Sequence, residues 1–118
     1  MSVKWIDYKG KPILYVDYRG LDEKQILENL ELEAQAIMDA KTKVLVLDNF
    51  GSHPATPRFM ERAKELGRAG MEANTAKNAG LGITGLKKVL LQAYNTFTGG
   101  KLQPFETEIE AMEWLVKP

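Results

Sequence analysis

The spacing of apolar and polar residues changes period several times along the chain, and each change predicts a new element. Two short runs of β-branched and aromatic residues, at Val3–Tyr8 and 13–18, flank a Lys-Gly-Lys-Pro turn signal. Such a pair predicts a β-hairpin. The Val-Leu-Val-Leu run at 44–47 does not alternate, which is typical of a central strand that is buried on both faces.

A helical period follows the hairpin. Asp22 is predicted to cap this helix, and Gln25 stands three residues on, where a capping box places a Glu or Gln. One face carries the apolar residues Ile26, Leu27, Leu30, Ala34, Ile37 and Met38. The acidic residues assigned to the opposite, solvated face are Glu23, Glu28, Glu31, Glu33 and Asp39. The pattern predicts an amphipathic helix of about five turns.

Three further helices are predicted from cap signals. Thr56 followed by Pro57 opens the second helix, because Thr is a good N-cap and Pro suits the first helical position. Thr84 is predicted to cap the third helix and Thr107 the fourth. The residues of the third helix that are expected to face inward are Leu86, Val89, Leu90, Ala93, Tyr94 and Phe97.

Short strands predicted at 79–83 and 101–105 complete an element order of ββαβαβαβα. A hairpin followed by alternating strands and helices predicts an α/β fold with a mixed sheet and four helices. In that sheet the N-terminal hairpin is antiparallel and the later strands are parallel. With 118 residues, the chain is expected to form a single domain over 1–118.

Composition narrows the class of protein. The chain holds 16 Lys and Arg residues and 16 Asp and Glu residues, so its net charge is zero, and no overall basic surface is expected to bind nucleic acid. Cysteine is absent, which excludes disulfides, thiolate catalysis and cysteine-ligated metals. No apolar signal segment and no run near the length of a membrane span is visible, so a cytoplasmic location without a transmembrane helix is expected.

Four local runs, together with the element order, carry a resemblance to a known family. They are Lys-Gly-Lys-Pro-Ile-Leu-Tyr at 9–15, Lys-Val-Leu-Val-Leu-Asp at 43–48, Ile-Thr-Gly-Leu-Lys-Lys at 83–88 and Phe-Thr-Gly-Gly at 97–100. Over nearly its whole length the chain resembles STAS domains, and more closely their SpoIIAA-like branch, which includes anti-sigma-factor antagonists. The resemblance implies a non-enzymatic regulatory module that binds a protein partner, namely an anti-sigma-factor or a kinase-like regulator.

In antagonist members of that family, a Ser or Thr at the start of the second helix is phosphorylated by a partner kinase. Their pattern is an Asp-Ser pair followed by Gly, whereas this chain has Pro-Ala-Thr-Pro-Arg at 54–58. Because Thr56 stands at the start of the predicted second helix, the resemblance implies that it is a candidate for a phosphorylation switch. Ser52, in the preceding loop, is the other candidate. The alternative is that Thr56 only caps the helix.

The loop between the predicted central strand and the second helix gathers polar side chains. Ligands of open α/β sheets bind at such strand ends, and the free amides of a helix start favour anions. The candidates for partner or ligand binding in this region are Asp48, Asn49, Phe50, His53, Arg58, Phe59 and Arg62. Ser52 and His53 lie in no nucleophile elbow, so no catalytic role is predicted for them, and His53 is interpreted as a solvent-facing loop residue. One histidine without cysteine predicts no zinc site.

A Gly-x-Gly-x-x-Gly pattern at 80–85 matches a dinucleotide-binding fingerprint. The fingerprint requires a strand that is complete before its glycines, whereas here the predicted strand contains Gly80 and Gly82. The pattern is therefore attributed to close packing of helices over the strand, and no cofactor is predicted. Lys87 and Lys88 follow on a polar helix side, where they are candidates for contact with an anionic lipid head group or an acidic partner.

Two hypotheses of function come from different classes. The first is the regulatory interaction module, which binds its partner through the second helix and the loop before it. The alternative is a carrier of a lipid or of a small apolar or anionic ligand, with a pocket at the strand ends between the second and third helices. The aromatic residues expected to line that pocket are Phe50, Phe59, Tyr94 and Phe97. An enzyme is not predicted, since no nucleophile motif, acid–base pair or metal cluster stands out.

Two further expectations concern surfaces and breaks. Trp5 and Trp114 are expected to be exposed, and together with the edge of the hairpin they predict a homodimer. Gly67 and Gly70 in the second helix leave open whether the helix ends there or offers a close approach to a partner, since glycine weakens a helix interior by roughly 1 kcal/mol.

Overall fold

A computed structural model describes residues 2–118, and its elements follow the expected order. The strands are β1 (Val3–Tyr8), β2 (Lys11–Asp17), β3 (Val44–Asn49), β4 (Thr75–Leu81) and β5 (Leu102–Phe105). The helices are α1 (Glu23–Asp39), α2 (Pro57–Leu66), α3 (Leu86–Thr98) and α4 (Glu108–Val116), and a π-helical turn (Gly67–Met71) follows α2. The α/β fold class with four helices is confirmed.

The five strands form one mixed sheet in the order β1-β2-β3-β4-β5. β1 pairs antiparallel with β2 through a tight turn that places Tyr8 opposite Lys11. The remaining neighbours are parallel, and each parallel connection crosses over through a helix, as pairs of that direction require. The prediction of an antiparallel hairpin followed by parallel strands is confirmed.

Alternation along the central strands gives the sheet two apolar faces. Leu14 and Val46 belong to the larger core, which α1, α2 and α3 cover. Ile13 and Leu47 belong to a smaller core on the other face, which α4 covers. Residues that follow one another in a strand therefore lie in different environments, and this separation decides which polar residues of β3 can meet.

Three of the four predicted helix caps are confirmed. Asp22 and Gln25 form the reciprocal capping box of α1. Thr56 caps α2 with Pro57 at the first helical position, and Thr107 caps α4. Each cap satisfies backbone N–H groups that the helix itself leaves free.

The start of α3 and the bounds of β4 differ from the prediction. Gly85, not Thr84, precedes α3, and it makes no side-chain hydrogen bond to the helix. β4 begins at Thr75 and ends before the predicted strand at 79–83 does. Its first half is polar, and Asn78 is nevertheless buried. The polar composition therefore concealed a strand that pairs with β3 along its whole length.

The shifted strand changes the setting of the glycine pattern. Gly80 lies within β4, whereas Gly82 and Gly85 lie in the loop after it, both at positive φ, so the prediction that the strand contains Gly82 is wrong. A Cβ at Gly82 would meet the carbonyl oxygen of Gly51 at 2.3 Å. Gly82 therefore lets the β3–α2 and β4–α3 loops touch, and the pattern has a packing role in this structure.

The polar face assigned to α1 needs one correction that matters for the site. Glu33 is buried, not solvated, and Met38 is half exposed. Glu33 lies three residues after Leu30 and four before Ile37, both of which are buried. These spacings place the three side chains on one stripe of the helix, so α1 brings a carboxyl group to the sheet.

The inward face assigned to α3 is also wrong in part. Leu91 and Tyr94 are the buried residues of this helix. The residues expected inside but found exposed are Leu86, Val89, Ala93 and Phe97. The helix therefore presents an apolar stripe to solvent beside α2.

The two glycines after α2 serve contacts within the chain. A Cβ at Gly67 would meet Cγ2 of Thr98 at 2.8 Å, so Gly67 allows α3 to approach. Gly70 has φ of 142°, a conformation that side chains rarely adopt. Gly67 thus lets the end of α2 approach α3 of the same chain, and Gly70 provides the break in the helical backbone.

Two surface features are relevant to partners. Trp5 on the edge strand β1 is half exposed. Trp114, which was expected to be exposed, is partly buried and packs on Phe105 with the ring centroids 5.3 Å apart. Within residues 2–118, no helix is long and apolar enough to cross a membrane.

We expect Gly82→Ala to destabilise the fold more than Gly85→Ala. Both residues have positive φ, which costs an alanine about 1 kcal/mol. A methyl group at Gly82 also collides with Gly51, whereas nothing lies within 4 Å of that at Gly85. The expected losses are about 3 and about 1 kcal/mol, measured by urea unfolding. Equal losses would show that the two loops do not touch.

Candidate functional site

A cavity of about 70 Å³ lies over the carboxyl half of β3 and the first half of β4, between the sheet and the three helices that cover it. Its wall combines apolar side chains with an unusual number of polar ones. The polar residues on the wall are Glu33, Asp48, His53, Glu72, Thr75, Asn78, Lys87 and Tyr94. A water occupies about 10–15 Å³ on this measure, so the cavity has room for about five atoms of that size.

A pair of buried carboxyl groups forms the floor of the cavity. Asp48 points from β3 towards the three-helix side, and Glu33 reaches it from α1, so that the two carboxyl groups are hydrogen-bonded to each other. Burial, and then the charge of Asp48, hold the pKa of Glu33 well above its usual range. Burial raises the pKa of Asp48 to about 6. At neutral pH, Glu33 therefore keeps its proton and donates it to an ionised Asp48.

Neighbouring side chains donate hydrogen bonds to both carboxyl groups of this pair. Tyr18 donates its hydroxyl to Oε1 of Glu33 at 2.7 Å. Asn78 donates Nδ2 to Oδ2 of Asp48 at 2.9 Å. Together with the bond between Glu33 and Asp48, these contacts compensate for the burial of the two carboxyl groups.

His53 lies on the cavity wall, so the prediction that it faces solvent is wrong. Only 6% of the residue is exposed, because the loop folds inward and its ring packs on Phe59 and Tyr18 at centroid distances of 5.0 and 6.0 Å. Nδ1 accepts the N–H of Ala55 at 2.7 Å. Burial lowers the pKa of His53, so the ring is neutral and its proton is assigned to Nε2. This buried N–H has no partner.

A third carboxyl group lies on the side of the cavity nearest α3. Tyr94 donates its hydroxyl to Oε2 of Glu72 at 2.5 Å. Burial raises the pKa of Glu72 and also that of Tyr94. The basic side chain on the wall, that of Lys87, donates Nζ to the carbonyl of Gly51 at 2.9 Å. Its amine is therefore engaged with the backbone and not with the acids.

An open groove between α2 and α3 adjoins the cavity. Ala55, Met60 and Leu90 line both. The outer wall of the groove includes Leu86, which is 72% exposed, and Phe97, which is 49% exposed. An apolar surface thus leads from the polar cavity to solvent, which is the arrangement that an amphipathic molecule needs.

The structure brings together about half of the residues predicted for a site. Those on the cavity wall are Asp48, Phe50, His53, Phe59, Lys87 and Tyr94. Asn49 points to the other face of the sheet, where Nδ2 donates to the hydroxyl of Tyr15 at 3.1 Å. Arg62 pairs with Glu31 on the surface at 2.6 Å. The remaining candidates, Ser52, Arg58 and Lys88, are exposed to solvent.

Thr56 has two roles at the start of α2. Its Oγ accepts the N–H of Phe59 at 3.4 Å, which completes the cap. The same hydroxyl donates to the carboxylate of Glu23 at 2.9 Å, so it also links α2 to the first turn of α1. Thr56 lines the groove and not the cavity.

Sequence reasoning missed Glu33, Glu72 and Asn78. For Glu33 a signal existed, since it shares the spacing of Leu30 and Ile37 on the buried stripe of α1. Asn78 was hidden in the polar half of β4, and Glu72 follows the π-helical turn, whose irregular backbone no periodicity describes. All three lie on the wall of the same cavity.

Comparison with solved structures identifies the fold. A crystal structure of an uncharacterized protein from the DUF3478 family, with a SpoIIAA-like fold, from Shewanella loihica PV-4, matches 96% of this chain and 91% of its own, with a TM-score of 0.71. The chain has a SpoIIAA-like fold. Sequence identity to that protein is 18%, so the likeness concerns the fold alone, and on that level the resemblance inferred from sequence is confirmed. No family model and no curated protein matches the chain.

We expect the buried acid pair to make the SpoIIAA-like domain more stable as the pH falls from 7 to 5. Asp48 has a folded-state pKa of about 6, above its unfolded value, so the folded state binds more protons in this range. Its contribution is present at low pH and is lost as the pH rises through 6. The contribution of Asp48 to the free energy of unfolding is expected to rise by about 1 kcal/mol over this range.

Urea unfolding at both pH values provides the measurement. Between pH 7 and pH 5, the change in stability should be about 1 kcal/mol less favourable in Asp48→Asn than in wild type, because Glu33 and His53 still titrate in the variant. Asp39→Asn, whose carboxyl group is exposed at the end of α1, should behave as wild type does. A wild-type domain and an Asp48→Asn variant with the same pH dependence would contradict the assignment.

Proposed function

We propose that this SpoIIAA-like domain is a non-enzymatic binding protein that holds a small amphipathic ligand in the cavity. The observation that carries the proposal is the cavity itself, whose wall sets the acidic residues Glu33, Asp48 and Glu72 among apolar side chains and which adjoins the groove between α2 and α3. Clefts that are mostly apolar and carry a few polar groups are typical of small-molecule sites.

The position of the cavity supports the same proposal. It reaches the carboxyl end of β3 at Asp48 and Phe50, and strand ends of this kind are where open α/β sheets bind their ligands. It meets the groove at Met60 and Leu90, so a ligand would have a route in and an apolar surface for its body. The polar floor and the apolar groove together fit a molecule with one polar end.

We expect Met60→Trp to weaken ligand binding, because a larger side chain at this half-buried position fills the junction of cavity and groove. Met112→Trp is the matched control, since Met112 is also half-buried but packs on the smaller core under α4. The probes are four eight-carbon amphiphiles: 1-octanol, octanoate, octylamine and 2-amino-1-octanol.

Binding is followed by amide chemical shifts in NMR titrations. At least one probe should shift the signals of Ile83, Leu91 and Tyr94, and Met60→Trp should weaken it about tenfold or more, which corresponds to about 1.4 kcal/mol. Met112→Trp should bind as the wild type does. If none of the four probes binds at millimolar concentration, the proposal is wrong.

A second candidate function is the regulatory interaction module. The exposed apolar residues of α3 beside α2, Leu86, Val89 and Phe97, support it, because apolar surface of this kind often marks an interaction site. Thr56 lies at the edge of the same groove. A phosphoryl group there would bring about −1.5 to −2 charges against the carboxylate of Glu23, which now accepts the threonine hydroxyl. We propose Thr56, and the exposed Ser52, as the switch of this module.

For this candidate we expect Thr56→Glu to release a partner that Thr56→Gln retains. Both substitutions lose the threonine cap, worth about 1 kcal/mol, and only the first adds charge beside Glu23. Immobilised variants are exposed to native-host extract, and bound proteins are quantified by mass spectrometry. A protein held by wild type and Thr56→Gln, but about tenfold less by Thr56→Glu, supports the switch. Equal retention by the two variants contradicts it.

A further inference from the structure

The outer side of α3 is apolar although it faces solvent. Leu86, Val89 and Phe97 are 72%, 59% and 49% exposed, and Ala93 between them is exposed as well. Their spacing along the chain places these four side chains, which we call the α3 stripe, on one side of the helix. Large apolar side chains that are exposed together on one element often mark a surface that another body covers.

The segment that carries the α3 stripe is basic. Residues 73–105 contain four lysines and neither Asp nor Glu. Two of the lysines are exposed beside the stripe, Lys88 within α3 and Lys101 after its end. The other two, Lys77 and Lys87, donate to backbone carbonyl groups. The stripe is therefore flanked by positive charge that comes from its own segment.

Two further cations lie against the end of the stripe. Nζ of Lys64 is 5.7 Å from the centroid of the Phe97 ring, and Cζ of Arg68 is 4.9 Å from it. An aromatic ring with basic side chains beside it is typical of proteins at a membrane–water interface, where long basic side chains reach the head groups. Within residues 2–118, ion pairs include none of the cations around the stripe, which are Lys64, Arg68, Lys88 and Lys101.

Charge is segregated across the layer of helices. Glu31 of α1 pairs with Arg62 of α2 at 2.6 Å, whereas Lys64 and Arg68 reach Phe97 of α3. The chain as a whole has no net charge, so the positive surface at α3 is a local feature. A negatively charged surface would therefore attract the molecule with α3 towards it.

Two acids border the groove beside the stripe without cancelling this charge. Glu61 and Glu65 lie on its α2 side. Oε1 of Glu65 is 3.4 Å from a guanidinium nitrogen of Arg62, so its charge is partly neutralised within α2. The four unpaired cations around the stripe outnumber these acids.

We propose that the α3 stripe docks on the surface of an anionic lipid bilayer. Leu86, Val89 and Phe97 lie among the lipid head groups, and the four cations around them lie beside the phosphates. The proposal concerns the outside of the molecule and is independent of the ligand in the cavity. It gives the stripe a different occupant from the protein partner of the second candidate function.

The size of the stripe favours a bilayer over a protein partner. A stable protein interface uses about 20–30 residues on each side, whereas the apolar part of this surface is a single row of side chains on one helix. Attachment to a bilayer needs less, because a few apolar side chains enter the head-group region while basic ones attract anionic lipids. Each Lys or Arg close to such a surface strengthens binding about fivefold.

Co-sedimentation with lipid vesicles tests the proposal. One set of vesicles consists of phosphatidylcholine, and the other contains about one third phosphatidylglycerol, which supplies the negative charge. The wild-type protein should bind the anionic vesicles about tenfold or more tightly than the neutral ones. Binding should fall as the salt concentration rises from about 0.05 to about 0.5 M, because salt screens exposed charges.

A pair of charge reversals locates the binding surface. Lys88→Glu should weaken binding to the anionic vesicles about tenfold or more, because it removes a cation beside the stripe and adds an anion. Lys4→Glu is the matched control. It changes the net charge equally, and Lys4 is exposed on β1, at the opposite edge of the sheet from β5, beside which α3 packs. This variant should bind as the wild type does.

A second pair tests the apolar contact. Leu86→Ser should weaken binding about tenfold, since it removes an apolar side chain that the head groups would bury. Ile109→Ser is the control, because Ile109 is 60% exposed on α4, which covers the other face of the sheet. It should leave vesicle binding unchanged. Circular dichroism of the four variants verifies that they are folded.

The proposal is overturned if the wild type does not bind the anionic vesicles. It is also overturned by equal losses for Lys88→Glu and Lys4→Glu, or for Leu86→Ser and Ile109→Ser, since binding would then involve another surface. Sedimentation equilibrium without lipid tests for a second copy of this chain. A wild-type dimer that Leu86→Ser dissociates would assign the stripe to that copy and contradict the bilayer.

A protein partner is the remaining alternative occupant. If the wild type fails to bind vesicles but retains a protein from lipid-free native-host extract that Leu86→Ser loses, the stripe belongs to that protein and the bilayer proposal is wrong. The cavity is tested separately, because the titrations with eight-carbon probes use no vesicles.

Discussion

The chain of buried hydrogen bonds from Tyr18 through Glu33 and Asp48 to Asn78 is the interaction on which the structure depends. Its members come from the end of β2, from α1, from β3 and from β4, so it ties the largest helix to three strands of the sheet. A buried carboxylate is tolerated only when such bonds compensate for lost hydration. The network therefore fixes how α1 sits on the sheet, and it places two acidic side chains on the wall of the cavity.

Close contacts at two glycines position the loops and helix ends near the cavity. Gly82 lets two loops touch at Gly51, and Gly67 lets the end of α2 meet α3, so the glycines set the positions of the loop and helix ends that frame the site. Between these contacts, α2 and α3 diverge and expose the groove. A site formed on a rigid sheet and two anchored helices can hold a polar end of a ligand in a fixed geometry.

Several residues show which features of the structure could be predicted from the sequence. The caps at Asp22, Thr56 and Thr107 were found because they depend on residues within one turn. Glu33 was assigned to the wrong face, although its spacing matched the buried stripe, because a charged residue is expected outside. The start of β4 was missed for the same reason, since the burial of Asn78 is repaid by bonds to β3 that lie 30 or more residues away in the chain.

By itself, the sequence determined the element order, the hairpin, the parallel strands after it and the likeness to the SpoIIAA-like fold. The first three follow from local periodicity and cap chemistry, whereas the likeness rests on a resemblance of four local runs and the element order to a known family. Only the tertiary structure decided that Asp48 and Asn49, neighbours in one strand, face different cores, that His53 turns inward, and that three acids line one cavity. These features depend on side-chain contacts between segments that are far apart in the chain. Packing determines such contacts, and no local sequence pattern specifies them.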